Sequence, residues 1–167
     1  MSSLQRAHAS GPVAPGVGRV ISQRPCAHLR AIPGWQDDIQ VAALRLAYKG
    51  AGGLGRGDEI GRLMADHFPA TFISMAQLVA DEEVFGFEWD RSLWPPMFQF
   101  GLLDLSIRAA PRLVRAELGE GFDGWALSTW FIEPNLWLAS CRPIDLLECQ
   151  LQAVLQAAHA DRFVATG

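Results

Sequence analysis

The sequence predicts a mainly α-helical protein with one small β-hairpin. Three observations carry this. Apolar residues recur at helical spacing in several segments, and Gly or Pro punctuates the gaps between them. One segment, Val84–Phe98, breaks that period and alternates aromatics around a short polar turn. Half of the 167 residues are apolar, enough for a packed core, yet no apolar run approaches the ~20 residues of a membrane span.

Three regions follow in order. Residues 1–33 hold Pro12, Pro15, Pro25 and Pro33 among Gly, Ser and Ala and show no sustained period, so they read as a flexible N-terminal arm. Composition changes at Pro33-Gly34. From Trp35 to Tyr48, Ile39, Ala42, Ala43 and Leu46 fall on one helical stripe, taken as the core face. Gly50-Ala51-Gly52-Gly53 ends that helix and opens a flexible loop. A second helix is expected over Gly55–Asp66, with Ile60, Leu63 and Met64 inward and Asp58-Glu59 in the first turn, where the helix dipole favours acids. Pro69 ends it. A third helix covers Phe72–Ala80.

The hairpin pairs Val84–Trp89 with Leu93–Phe98 around Asp90-Arg91-Ser92. Trp89 and Trp94 are expected to pack as a cross-strand pair. Pro95-Pro96 confines the second strand to a sheet edge. Helices resume after Leu102. Pro111 suits the first position of a helix over Arg112–Leu118, and Asp123 can N-cap the next, which runs to about Ile132. Pro134-Asn135 ends it and Pro143 starts another. From Leu147, the positions Leu151, Val154, Leu155 and Ala158 mark a final amphipathic helix. The expected architecture is thus a winged helix-turn-helix-like module over 34–101 and a helical domain over 102–167.

Charge is uneven. Residues 1–66 hold eight Lys/Arg against five Asp/Glu, and residues 67–167 hold six against thirteen. A basic front and acidic back are consistent with two kinds of partner. Cys26, Cys141 and Cys149 are odd in number and widely spaced, which reads as free thiols in a reducing cytosol. No apolar stretch at the N-terminus resembles a secretory signal, so a cytoplasmic location is expected.

Enzyme chemistry finds little support. The run Gly50–Gly57 is glycine-rich but lacks the G-K-[ST] of a phosphate-binding loop. The four histidines have no cysteines or acids at ligand spacing, so neither a metal nor another cofactor is expected. Asp81-Glu82-Glu83 reads as a solvated turn. Cys141 precedes a helix start, but nothing places a base beside it.

In the winged helix-turn-helix reading, Gly55–Asp66 supports, Phe72–Ala80 recognises and Val84–Phe98 is the wing. Charge argues against DNA there, because no Lys or Arg lies between Arg62 and Arg91 and phosphate neutralisation supplies most non-specific affinity. Ser74 and Gln77 are the groove-reading candidates. Arg45, Lys49, Arg56, Arg62 and Arg91, with Arg6, Arg19, Arg24 and Arg30 of the arm, are the phosphate candidates.

The last third carries the most specific signal. Trp130-Phe131-Ile132-Glu133-Pro134-Asn135-Leu136-Trp137-Leu138 is followed by Pro143-Ile144-Asp145-Leu146-Leu147. The pattern W-F-x-x-P-N-x-x-L, then P-x-D-L-L, resembles the C-terminal toxin-binding domain of Xre/MbcA/ParS-type antitoxins. Two departures stand out: glycine is usual in that family where this chain has Ser140, and a small residue is usual near Leu151. The resemblance implies a homodimer that binds a cognate protein toxin. That toxin consumes NAD through a RES or ADP-ribosyltransferase-like fold, and the antitoxin occludes its active site. The resemblance also implies autorepression on operator DNA and no catalysis by the chain itself. It marks the extreme C-terminus, His159 to Gly167, as a plug for that site, with Arg162 pairing an acid and Phe163 filling an apolar slot. Trp137, Arg142, His159, Asp161, Arg162 and Phe163 are the toxin-binding candidates. Trp125, Trp130 and Trp137 are expected to pack in the core, the alternative being that Trp130 or Trp137 anchors a partner. The runner-up function is an orphan DNA-binding regulator, or a scaffold, with no toxin.

Overall fold

The computed structural model describes residues 35–72 and 74–166. The expected arm over 1–33, with its arginines, lies outside the described residues. Seven helices and one hairpin follow in order among those described: α1 (Trp35–Tyr48), α2 (Gly57–His67), α3 (Met75–Ala80), β1 (Phe87–Trp89), β2 (Ser92–Trp94), α4 (Ala109–Leu118), α5 (Gly124–Trp130), α6 (Pro143–Leu146) and α7 (Leu151–Thr166). Short 3-10 turns at Lys49–Ala51, Met97–Gln99 and Leu136–Leu138 join them. The protein is mainly helical with a two-stranded antiparallel hairpin. No helix among the described residues is long and apolar enough to cross a membrane.

Local chemistry sets three of the helix starts. Ser74 caps α3 by accepting from the Gln77 N–H at 3.0 Å, and Asp123 caps α5 by accepting from Ala126 N–H at 2.8 Å. Pro143 occupies the first turn of α6. The α3 cap makes that helix six residues long, shorter than the expected Phe72–Ala80. Pro111 is buried two residues inside α4 rather than opening it. Asp90 and Arg91 turn the hairpin with φ of 47° and 56°, the left-handed pair that matches strand twist.

The register sets Phe87 opposite Trp94 and Trp89 opposite Ser92. Trp89 and Trp94 therefore meet diagonally, with ring centroids 5.6 Å apart and Trp94 Nε1 donating to the Trp89 carbonyl at 3.1 Å.

The larger core cluster draws on α1, the hairpin and α4 to α7. Its aromatic centre combines Tyr48, Phe85 and Phe98 with Phe131. The Phe85 and Phe131 rings stack at 5.3 Å, and Phe98 lies 4.9 Å from Phe131. Tyr48 is fully buried and its hydroxyl donates to the Ser128 carbonyl at 2.6 Å; burial pushes its ionisation far above the usual tyrosine range. A smaller cluster holds α2 and α3 together through Ile60, Met64, Met75, Val84 and Phe100. Buried Gln99 ties these parts, accepting from Phe85 N–H at 2.8 Å and donating to the Phe85 carbonyl at 2.8 Å and that of Pro96 at 3.1 Å. The side-chain amide takes the place of a strand partner, which is why a polar residue survives there.

Four expectations are corrected. Ile39 and Leu46 are 59% and 73% exposed, and Ala42 and Ala43 are exposed too; α1 buries Val41, Leu44 and Tyr48 instead. This helix is apolar on two sides, and the aromatic side selects the core. Leu63 is half exposed, while Ile60 and Met64 are buried as expected. The glycine-rich loop is pinned rather than loose: Gly53 N–H donates to Tyr48 O, Met97 N–H to Gly53 O and Gly55 N–H to Pro95 O, at 2.9, 2.9 and 3.1 Å. The acidic turn is not simply solvated, because Glu82 pairs with Arg115 and Glu83 with Arg112, each at 2.6 Å.

Candidate partner-binding site

The W-F-x-x-P-N motif builds a polar clamp. Asn135 ends the loop after α5 and its Oδ1 accepts from Trp137 N–H at 2.9 Å, starting the 3-10 turn. Its backbone N–H donates to Cys141 O at 3.0 Å and its carbonyl accepts from Ser140 N–H at 2.9 Å. That closure forces Ala139 and Ser140 into the left-handed region, with φ of 52° and 63°. Glycine adopts this conformation without strain, whereas Ala139 and Ser140 each carry a Cβ there.

Three side chains then converge on one carboxylate of α7. Asp161 Oδ2 accepts from Asn135 Nδ2 at 2.6 Å and from Trp130 Nε1 at 2.8 Å, and Oδ1 accepts from Trp137 Nε1 at 3.1 Å. Charge-assisted bonds of this kind are stronger than neutral ones. They fix both indoles and lock the end of α7 to the motif.

The clamp leaves a surface exposed. Trp137, expected in the core, is instead 63% exposed, because its indole N–H reaches Asp161 at the surface, and Leu136 is 87% exposed. Val164 lies one turn beyond Asp161 on α7 and is 74% exposed; Phe163 beside it is 75% exposed. A cleft of about 260 Å³ runs between Trp130, Glu133, Pro134, Asn135, Leu136, Trp137 and Asp161. Aromatic walls with two carboxylates suit a partner surface that combines apolar and basic groups.

The other candidates are engaged locally. Arg142 makes a two-pronged contact with Asp145, at 2.7 Å on each oxygen, and its hydrogen bond holds the Asp145 carboxyl below the usual carboxylate range. His159 Nδ1 lies 2.7 Å from Glu117 Oε1 on α4, and Arg162 Nη2 lies 3.6 Å from the same oxygen. Residues 159–166 are the end of a 16-residue helix docked on α4, not a separate tail. Gly167 is outside the described residues.

Several DNA candidates make contacts of their own. Arg56 and Arg62 both pair with Asp58 at 3.2 Å. Ser74 is occupied as a cap, and Gln77 Nε2 donates to Asp81 Oδ1 at 2.8 Å. Arg62 and Ser74 line one shallow apolar depression with Phe72 and Leu93. Arg45 lies over the Trp94 ring at 5.3 Å, and Arg91 is exposed at the hairpin turn. Lys49 is exposed after α1.

Sequence reasoning assigned Trp130 and Asn135 to shaping the fold and missed their shared partner, Asp161. It also missed Leu136, Glu133 and Val164. The signal for Leu136 was present, since it is a large apolar residue directly beside Trp137. No group of three or more His, Cys, Asp or Glu able to hold a metal occurs among the described residues. No family model, curated protein or solved structure matches the chain.

Proposed function

We propose that this protein is the antitoxin of a toxin–antitoxin pair and neutralises its partner by docking the surface around Trp137 over the toxin's active site. The observation that carries the reading is the display of Trp137: its indole N–H is tied to Asp161 while the residue stays 63% exposed. Tryptophan held rigid at the surface is a typical anchor of a protein interface. The motif resemblance supplies the partner class, an NAD-consuming toxin of RES or ADP-ribosyltransferase-like fold. Leu136 and Val164 would give the apolar contact, and Glu133 would meet basic groups at the rim. The docked helix end replaces a loose plug, with Phe163 as its exposed apolar tip.

Co-expression with the product of the neighbouring gene tests this, followed by tagged capture and a mass measurement. A stable complex is expected, and Trp137→Ala should weaken it by about thirtyfold or more, the scale of a hot-spot truncation. Recovery of the protein without the gene product would sink the proposal.

A second reading rests on the order α2, α3, hairpin, which is that of a winged helix-turn-helix. It would make the chain a repressor of its own operon, or an orphan regulator. Arg56→Glu with Arg62→Glu should then abolish a salt-sensitive DNA retention; absence of retention in the parent protein removes it.

A further inference from the structure

We infer that the cleft between Trp130 and Trp137 is a receptor for one arginine side chain presented by the partner protein. The inference deepens the proposed function and rests on it for the identity of the partner. The chemistry of the cleft stands on its own geometry.

Asp161 supplies the first argument. An ionised carboxylate offers about four lone-pair sites. Oδ2 uses two on Asn135 Nδ2 and Trp130 Nε1, and Oδ1 uses one on Trp137 Nε1. One acceptor site therefore remains, on Oδ1, the oxygen that the exposed tryptophan holds. All three donors are neutral, so they orient the carboxylate without cancelling its charge. Asp161 is half-buried. A negative charge in such a place, with one open acceptor site, favours a cation that brings its own N–H.

The rest of the cleft has the same sign. Glu133 lines it and is exposed, and no Lys, Arg or His is among the described residues of its wall. Its volume, about 260 Å³, falls below the roughly 300–1,000 Å³ of sites that enclose a whole small molecule. It suits a single side chain. The indoles of Trp130 and Trp137 stand beside the two carboxylates, and both are fixed by their bonds to Asp161. A guanidinium can lie flat on an indole and still donate from its edge to a carboxylate, which the compact ammonium of lysine cannot do at once. Leu136 and Val164 are exposed close by. Only a protein that carries the arginine can cover them in the same contact, which is why the source is a partner chain rather than a free cation.

Titration of the full chain with N-acetylargininamide tests the cleft without any toxin. The probe is followed through the indole N–H signals in nitrogen-15 NMR. The Trp130 and Trp137 signals should shift together and saturate, while that of Trp94, buried in the hairpin, stays in place. N-acetylcitrullinamide, the neutral isostere, should shift neither, and N-acetyllysinamide should bind more weakly. Glu133→Gln should weaken the arginine probe by about threefold, the scale of one exposed charge pair, with an unchanged thermal transition because the side chain is exposed. Equal shifts with the citrulline or lysine amide overturn the assignment of a guanidinium. An unmoved Trp137 signal at the solubility limit of the arginine probe overturns the site. The same variant in the captured complex separates this inference from the reading it rests on. There Glu133→Gln should cost about thirtyfold or more, because the charge it leaves unpaired is desolvated. A complex indifferent to Glu133→Gln overturns the arginine contact and leaves the antitoxin reading in place. Probe binding without capture of the gene product supports the cleft and overturns that reading alone.

Discussion

Asp161 is the residue on which the C-terminal motif turns. Its carboxylate satisfies Trp130, Asn135 and Trp137 together, so two indoles and an amide lose their acceptor when it is removed. Asp161→Ala should destabilise by about 1–3 kcal/mol, the cost of leaving such donors without a partner, and Asp161→Asn by less because one acceptor oxygen remains. Urea unfolding measures both. An unchanged midpoint for the alanine variant would mean that the clamp contributes nothing in water. Truncation from Asp161 onward removes the clamp as well as any contact with a partner, so such a deletion conflates folding with binding. Ser140 invites the opposite change. With φ at 63°, it carries the steric cost of a Cβ in the left-handed region, roughly 1–2 kcal/mol. Ser140→Gly recovers part of this, less the extra chain entropy of glycine, and should raise the unfolding midpoint. A fall in the midpoint would show that the turn is not strained.

At the scale of elements, backbone proximity sets constraints that composition does not announce. Gly124, the first residue of α5, lies so close to Gly86 that a Cβ would collide with the Gly86 carbonyl oxygen. A Cβ on Gly86 would in turn lie 3.0 Å from the Pro95 nitrogen. The start of α5 is thus seated on the strand connection ahead of β1 with no room for a side chain. Gly124→Ala should cost about 1–3 kcal/mol through the forced shift of backbone, read as a lower thermal midpoint. A variant as stable as the parent would mean that α5 can slide along the hairpin at no cost. The two stripes of α1 make a related point. Periodicity found the apolar stripe of Ile39, Ala42, Ala43 and Leu46, and hydropathy alone favours it over a stripe that ends in a tyrosine. The tyrosine wins because its ring stacks on Phe98 and its hydroxyl finds the Ser128 carbonyl, and both partners lie far away in sequence.

At the scale of the whole molecule, the residues read as two modules share one core. Tyr48, Phe85 and Phe98 pack with Phe131, and the acidic turn after α3 is bound to α4 through Glu82–Arg115 and Glu83–Arg112. Hydrogen bonding and the charge of Arg115 hold the Glu82 carboxyl below its usual range, and Arg142 does the same for Asp145. Carboxylates whose folded pKa is depressed contribute fully above the ordinary value near 4 and lose that contribution as pH falls through the depressed one. Stability should therefore be flat from neutral pH down to about 5 and should decline below about 4. Both carboxylates are exposed, so the loss is modest and shrinks with added salt. Urea midpoints against pH test this, and Arg115→Ala should flatten the acid limb. An acid limb identical in that variant would assign the loss to other carboxylates.

Most of the element order was legible because it depends on neighbours in the chain. Proline and glycine positions, the Ser74 and Asp123 caps and the helical period of Leu147 to Ala158 act over one or two turns. The hairpin followed from alternation around Asp90-Arg91. The sequence by itself also determined which residues form the C-terminal motif. Only the tertiary structure decided which face of α1 is inside, that Gln99 substitutes for a strand, that the acids after α3 are paired, and that Trp130, Asn135 and Trp137 meet on Asp161. Each of those depends on partners 14 or more residues apart. Side-chain contacts at that range carry no period and no local composition. They exist only once the chain has closed on itself, when a buried donor must find whatever acceptor the packing brings within reach.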